Sequence, residues 1–104
     1  MSAPPVMDRR QRRATGPCPF CQRTVALTYH HLIPKKLHRR SYFRKHFRRD
    51  QLAAGVMICR ACHDGIHRLY TEAQLGRCLN TPESLLADPA LRRHFAWVSR
   101  QRRR

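Results

Sequence analysis

The sequence predicts a small α+β domain whose thin core is stapled by a metal ion on four cysteines. Three observations lead there. Two Cys-x-x-Cys pairs, Cys18-Pro19-Phe20-Cys21 and Cys59-Arg60-Ala61-Cys62, stand far apart in the chain. Residues 24–29 and 56–58 have the β-branched, aromatic and apolar content of short strands. Helical patterns follow the second pair to the end of the chain.

At 104 residues there is room for one domain. Residues 15–99 are expected to form it. Residues 1–14 read as a disordered basic arm, with Pro4-Pro5 and the run Arg9-Arg10-Gln11-Arg12-Arg13. That arm is either an idle tail or a non-specific phosphate contact. Residues 100–104 form a basic tail. A domain this small has little core to rely on and often depends on a disulfide or a metal.

Lys and Arg number 22 against 6 Asp and Glu, a net charge of +16. Such an excess repels itself unless a polyanion shares the space. The expected partner is nucleic acid, double-stranded DNA first. A membrane surface is the weaker alternative, because no long amphipathic helix carries the basic residues. No run of eighteen apolar residues occurs, so no membrane-spanning helix is expected. The first sixteen residues hold no apolar signal core, so a reducing cytoplasm is expected. A monomer and a homodimer both remain open, and no protein partner is indicated.

Residues 15–21 form the first knuckle, where Gly16 and the prolines favour the tight turn that lets two thiolates face one metal. The strand at 24–29 continues into His30-His31-Leu32-Ile33 and stops at Pro34. Successive side chains of a strand face opposite ways, so the two histidines are expected to have different jobs. Residues 35–49 interleave basic residues with Tyr42, Phe43 and Phe47. The aromatics should anchor a basic loop, with part of it helical, and Lys35, Lys36, Arg39, Arg40, Arg44, Lys45, Arg48 and Arg49 should line a phosphate track. Asp50 is expected to cap a brief turn over residues 51–54, closed by Gly55.

Residues 61–72 read as a helix with Ile66, Leu69, Tyr70 and Ala73 on its apolar face. His63 and His67, four apart, lie together on a neighbouring face. Gly65 costs helix stability but lets something approach closely. Residues 71–79 form another helix or a continuation. Thr81-Pro82 and Asp88-Pro89 are N-cap and N1-proline signals that open helices at 82–87 and 89 to about 98. Leu85, Leu86, Leu91, Phe95 and Trp97 are expected to cover the core.

Cys18, Cys21, Cys59 and Cys62 are expected to hold a Zn²⁺ ion. Four cysteines leave no open position, so the site is structural and its binding energy is folding energy. A redox pair lacks the surrounding thioredoxin-like pattern. Cys78 is left over as a core or surface thiol. The zinc also brings the strand with His30 and His31 beside the helix with His63 and His67. His30, His63 and His67 would form a three-ligand site with open positions for a divalent ion such as Mg²⁺, Mn²⁺ or Ni²⁺. His31, outside the ligand set, is a candidate general base toward an attacking water.

Cys-x-x-Cys, then His30-His31-Leu32-Ile33-Pro34, then Cys59-x-x-Cys62-His63-x-x-x-His67 resembles the HNH endonuclease family with its zinc-stapled ββα-metal core. The resemblance covers residues 17–68. It implies a metal-dependent endonuclease that hydrolyses DNA phosphodiester bonds. It places a metal ligand at His30, the general base at His31 and the helix ligands at His63 and His67. Colicin nuclease domains, which lack the cysteines, use the same pair of helix histidines. The sequence departs from the family at the central Asn, which braces the link between the strands: Ala53 and Ala54 stand about there, with Asp50 and Gln51 nearby as substitutes. Two other readings stand beside the nuclease. One is a non-catalytic zinc-stabilised module that binds DNA or RNA. The other is a small structural protein with merely exposed histidines.

Overall fold

The computed structural model describes residues 14–102. They form a small α+β fold built on a three-stranded antiparallel sheet, ordered β1-β2-β3. The strands are β1 (Ala14–Pro17), β2 (Thr24–His31) and β3 (Gly55–Cys59). β1 was not expected, because Gly16 and Pro17 read as turn residues. It forms at the sheet edge, where a proline costs no central ladder bond. Ala14 therefore belongs to the sheet and not to the arm. The rest of the arm, residues 1–13, lies outside the described residues, as do 103–104 of the tail.

β2 runs through both histidines, paired to β3 with His30 opposite Val56 and His31 opposite Gly55. Alternation sets Thr28 and His30 on one face and Tyr29 and His31 on the other. His30 is fully buried and His31 half-buried.

Between β2 and β3 come a 3-10 turn (Lys35–Leu37), α1 (Ser41–His46) and α2 (Arg49–Ala53). Phe43 is buried with Ile33 and Leu37 in a small second core, against which Phe47 and Leu52 lean. The aromatics thus anchor the basic segment, except Tyr42, which is exposed under the Arg77 guanidinium at 4.5 Å. Asp50 is not the cap of α2. Arg48 takes that place, its backbone N–H donating to Gln51 Oε1 at 2.7 Å. Asp50 sits in the first turn, where its charge suits the helix dipole. Ala54 ends the helix, and Gly55 opens β3.

The remaining helices are α3 (Arg60–Leu69), α4 (Glu72–Cys78), α5 (Pro82–Ala87) and α6 (Pro89–Ser99). α3 is shorter than expected. Extended backbone at Tyr70 ends it, and Thr71 caps α4, its hydroxyl accepting from Gln74 N–H at 3.2 Å. Its apolar face narrows accordingly: Ile66 is buried, but Leu69 and Ala73 are exposed. α5 and α6 begin at their Thr81 and Asp88 caps, as the proline signals indicated. Leu85, Leu91, Phe95 and Val98 enter the core. Leu86 and Trp97 do not, being 42% and 51% exposed, because helical spacing turns them away from the face that buries their neighbours. Asp88 Oδ2 accepts from Leu91 N–H at 3.0 Å and from Tyr70 Oη–H at 2.7 Å, which ties the end of α3 to the start of α6. Among the described residues no helix is long and apolar enough to cross a membrane.

Gly65 fulfils its expected role. The His94 ring of α6 occupies the space a side chain there would need, and its Nε2–H donates to Ala61 O at 3.0 Å. Gly65→Ala is expected to displace His94 and lower stability by about 1–3 kcal/mol. Thermal and denaturant unfolding check this. Adding His94→Ala should recover part of the loss, and an unchanged midpoint in the single variant would refute the close contact.

Candidate metal centres

The four cysteines come from two turns. Cys18 N–H donates to Arg23 O at 2.9 Å and Gln22 N–H to Cys18 O at 2.8 Å, folding the first knuckle tightly. Gln22 sits in the left-handed region at φ 70°, a conformation that costs a residue with a side chain. Cys59 is both the last residue of β3 and the N-cap of α3, with Cys62 N–H donating to its Sγ at 3.4 Å. All four are buried, and all five cysteines of the chain are free thiols. Cys78 is the exposed one.

Cys18 Sγ and Cys62 Sγ lie 3.9 Å apart, Cys21 Sγ and Cys59 Sγ 3.6 Å. Four thiolates at zinc–sulfur distance on a tetrahedron have edges of ~3.8 Å. The chemistry of the donor set fits a cation as well. The hydrogen bond with Cys18 and burial push the Cys62 thiol up, and burial pushes Cys21 up. Cys18 is held down at about 4 by its hydrogen bond with Cys62 and by backbone N–H groups. Sulfurs this close cannot all be anionic unless positive charge sits among them, and the cluster could hold a metal such as zinc. Arg23, overlooked in the sequence, adds a cation from outside: its guanidinium donates to Cys59 Sγ at 3.4 Å and to Arg102 O at 3.0 Å.

His30, His63 and His67 make the second cluster, with ligand atoms within 4.8 Å of one another. Their ring centroids are 5.1 Å (His30–His63), 5.3 Å (His30–His67) and 4.9 Å (His63–His67) apart. β2 presents His30 and one face of α3 presents the other two. His30 is fully buried, and neither Nδ1 nor Nε2 has a hydrogen-bond partner. Two orphaned buried nitrogens are costly unless something binds them. Burial, with the neighbouring imidazoles, holds its pKa at about 3, so the ring stays neutral, the form that ligates a metal. Burial also lowers His63.

Thr28 fixes which His63 nitrogen is available. Its hydroxyl donates to Ile58 O at 3.0 Å and has no second proton to give. His63 Nδ1, 2.9 Å from Oγ1, must then be the donor, which leaves Nε2 with the lone pair. Nothing in the sequence singled out Thr28 except its place two residues before His30 on the same strand face.

His31 is not in this cluster. It lines a cavity of about 200 Å³ together with His63, His67, Lys35, Lys36 and Glu72. Lys36 and Glu72 are 3.6 Å apart at the exposed mouth, an ion pair of little weight. The other expected basic residues, Arg39, Arg40, Arg44, Lys45, Arg48 and Arg49, are all exposed.

The link before β3 is braced, though not by Gln51, whose side chain serves the cap of α2, nor by Asp50, which pairs with Arg48 at 3.4 Å. Tyr29 Oη–H donates to Ala53 O at 2.6 Å, and Leu32 N–H to Ala54 O at 3.2 Å. A side chain at position 55 would strike the Tyr29 ring, so Gly55 makes that reach possible. The same ring meets His31 edge-on, with centroids 4.9 Å apart. Tyr29→Phe is expected to cost about 1 kcal/mol in chemical unfolding. No loss would show that the tether is idle.

No family model matches the chain, and no solved structure matches it. The chain is similar to the uncharacterized protein YisB of Bacillus subtilis (strain 168), with 34% identity over 91 residues, 86% of this chain and 80% of that protein.

Proposed function

This chain belongs to the same family as YisB of Bacillus subtilis, and we propose that it is a metal-dependent endonuclease of the HNH type that hydrolyses DNA phosphodiester bonds. The observation that carries this reading is the buried His30, unpartnered at both ring nitrogens, beside His63 and His67 and next to the His31 cavity.

In this reading Cys18, Cys21, Cys59 and Cys62 hold structural zinc, a closed site that positions α3. His30, His63 and His67 hold one divalent ion, and Mg²⁺, Mn²⁺ and Ni²⁺ are the candidates to try. That ion supplies charge stabilisation at the phosphate and the leaving oxygen. His31 accepts the proton of the attacking water, from its place in the same cavity as His63 and His67. Lys35 and Lys36 at the cavity mouth hold the phosphate by charge. The exposed arginines of residues 39–49 track the flanking backbone without reading bases.

A second reading, a zinc-stabilised module that only binds DNA or RNA, is favoured by the exposed basic segment alone. It has no use for the orphaned His30. Supercoiled plasmid separates the two. The nuclease reading expects nicked circles when a divalent ion is added, and none without it. Plasmid bound but left intact with all three ions overturns it.

A further inference from the structure

Residues of the segment between β2 and β3, from His38 to Ala53, line a second, open hollow of about 510 Å³. Arg39, Arg44 and Arg49 line it together with Phe47, Leu52 and His38. Among the described residues no acidic side chain lines it. A duplex backbone needs cations along a ridge and no hollow. Arginines lining the same hollow as an aromatic ring and an aliphatic side chain match an object with an anionic edge and flat apolar faces. A nucleotide is such an object: guanidinium groups pair with its phosphate, and its base stacks on an aromatic ring. The volume lies in the range of small-ligand sites. Base faces are covered inside a duplex, so the hollow suits a base that has left the stack.

His38 links this hollow to the His31 cavity. Its Nε2–H donates to Ile33 O at 2.7 Å, which fixes the ring and makes Nδ1 the acceptor of the neutral imidazole. The His31 and His38 ring centroids are 6.0 Å apart.

We propose that this hollow is a nucleotide subsite, holding one unpaired base and its phosphate beside the phosphodiester presented to His31. The position of the cut strand rests on the nuclease reading; the binding does not.

The test uses the full chain, zinc-loaded and carrying His31→Ala so that nothing is cut. Fluorescence anisotropy compares a duplex oligonucleotide with the same duplex bearing one unpaired nucleotide. The unpaired form should bind roughly tenfold tighter. Phe47→Leu should abolish that preference and leave duplex affinity near its starting value. Arg44→Ala with Arg49→Ala, both exposed, should weaken the unpaired form more than the duplex. Equal binding of the two duplexes, or a preference that survives the arginine pair, overturns the subsite. Circular dichroism and zinc content show whether Phe47→Leu folds; if it does not, the arginine pair decides. A preference in a protein whose wild type nicks nothing upholds the subsite and removes the nuclease reading. Nicking by wild type without any preference does the reverse.

Discussion

Cys62→Ser should leave the protein without tightly held zinc and largely unfolded. Cys62 is fully buried in the first turn of α3, with its sulfur 3.9 Å from Cys18. Structural zinc contributes on the order of 10–16 kcal/mol of apparent binding energy in small domains. A domain of this size has a total stability of roughly 5–15 kcal/mol. Losing one ligand therefore removes an amount comparable to the whole stability. The core makes the dependence worse, since all four cysteines are part of its main cluster with Ile58, Ile66 and Leu91. Circular dichroism and zinc analysis of the purified variant check this. A cooperatively folded Cys62→Ser protein with no metal would show that the apolar core suffices. Cys78→Ser is the control: Cys78 is exposed and outside the cluster, so that variant should keep its fold and zinc.

His31→Ala should abolish nicking and leave both metal clusters intact. His31 is half-buried in the cavity beside His63 and His67, and its ring is not among the three grouped ligands. Removing a general base lowers the rate on the order of a hundred- to ten-thousand-fold. DNA affinity should barely change, because the exposed arginines of residues 39–49 proposed to carry it are untouched. The diagnostic pattern is a loss in the single-turnover rate with affinity, zinc content and melting temperature close to wild type. A variant that nicks at the wild-type rate would remove His31 from the reaction. One that also lost its second ion would place it among the ligands instead.

The site was legible where its chemistry is local. Each Cys-x-x-Cys makes its own turn, and His63 and His67 lie on one helix face by spacing alone. The alternation of β2 separates His30 from His31 by pattern alone. The Pro82 and Pro89 helix starts were equally local. What could not be read depends on contacts between distant segments. β1 hides behind Gly16 and Pro17 and exists because β2 offers it an edge. Tyr29 reaches Ala53 only once β2 and β3 are paired, so its bracing role has no local signature. Thr28 orients His63 across a separation of 35 residues. Trp97 and Leu86 look like core by type, but helix phase turns both outward. The second hollow gathers residues spread from His38 to Ala53, which charge pattern alone could not show.

Native mass spectrometry of the folded chain separates a structural zinc on the four cysteines from a second ion on the three histidines. Zinc-loaded protein, desalted and titrated with Ni²⁺ or Mn²⁺, should retain a single tightly held zinc and take up a single exchangeable ion. His63→Ala with His67→Ala should keep the zinc and lose the exchangeable ion. A second ion bound equally well by that double variant, or a folded wild-type chain with no retained zinc, would rule out one metal on each cluster.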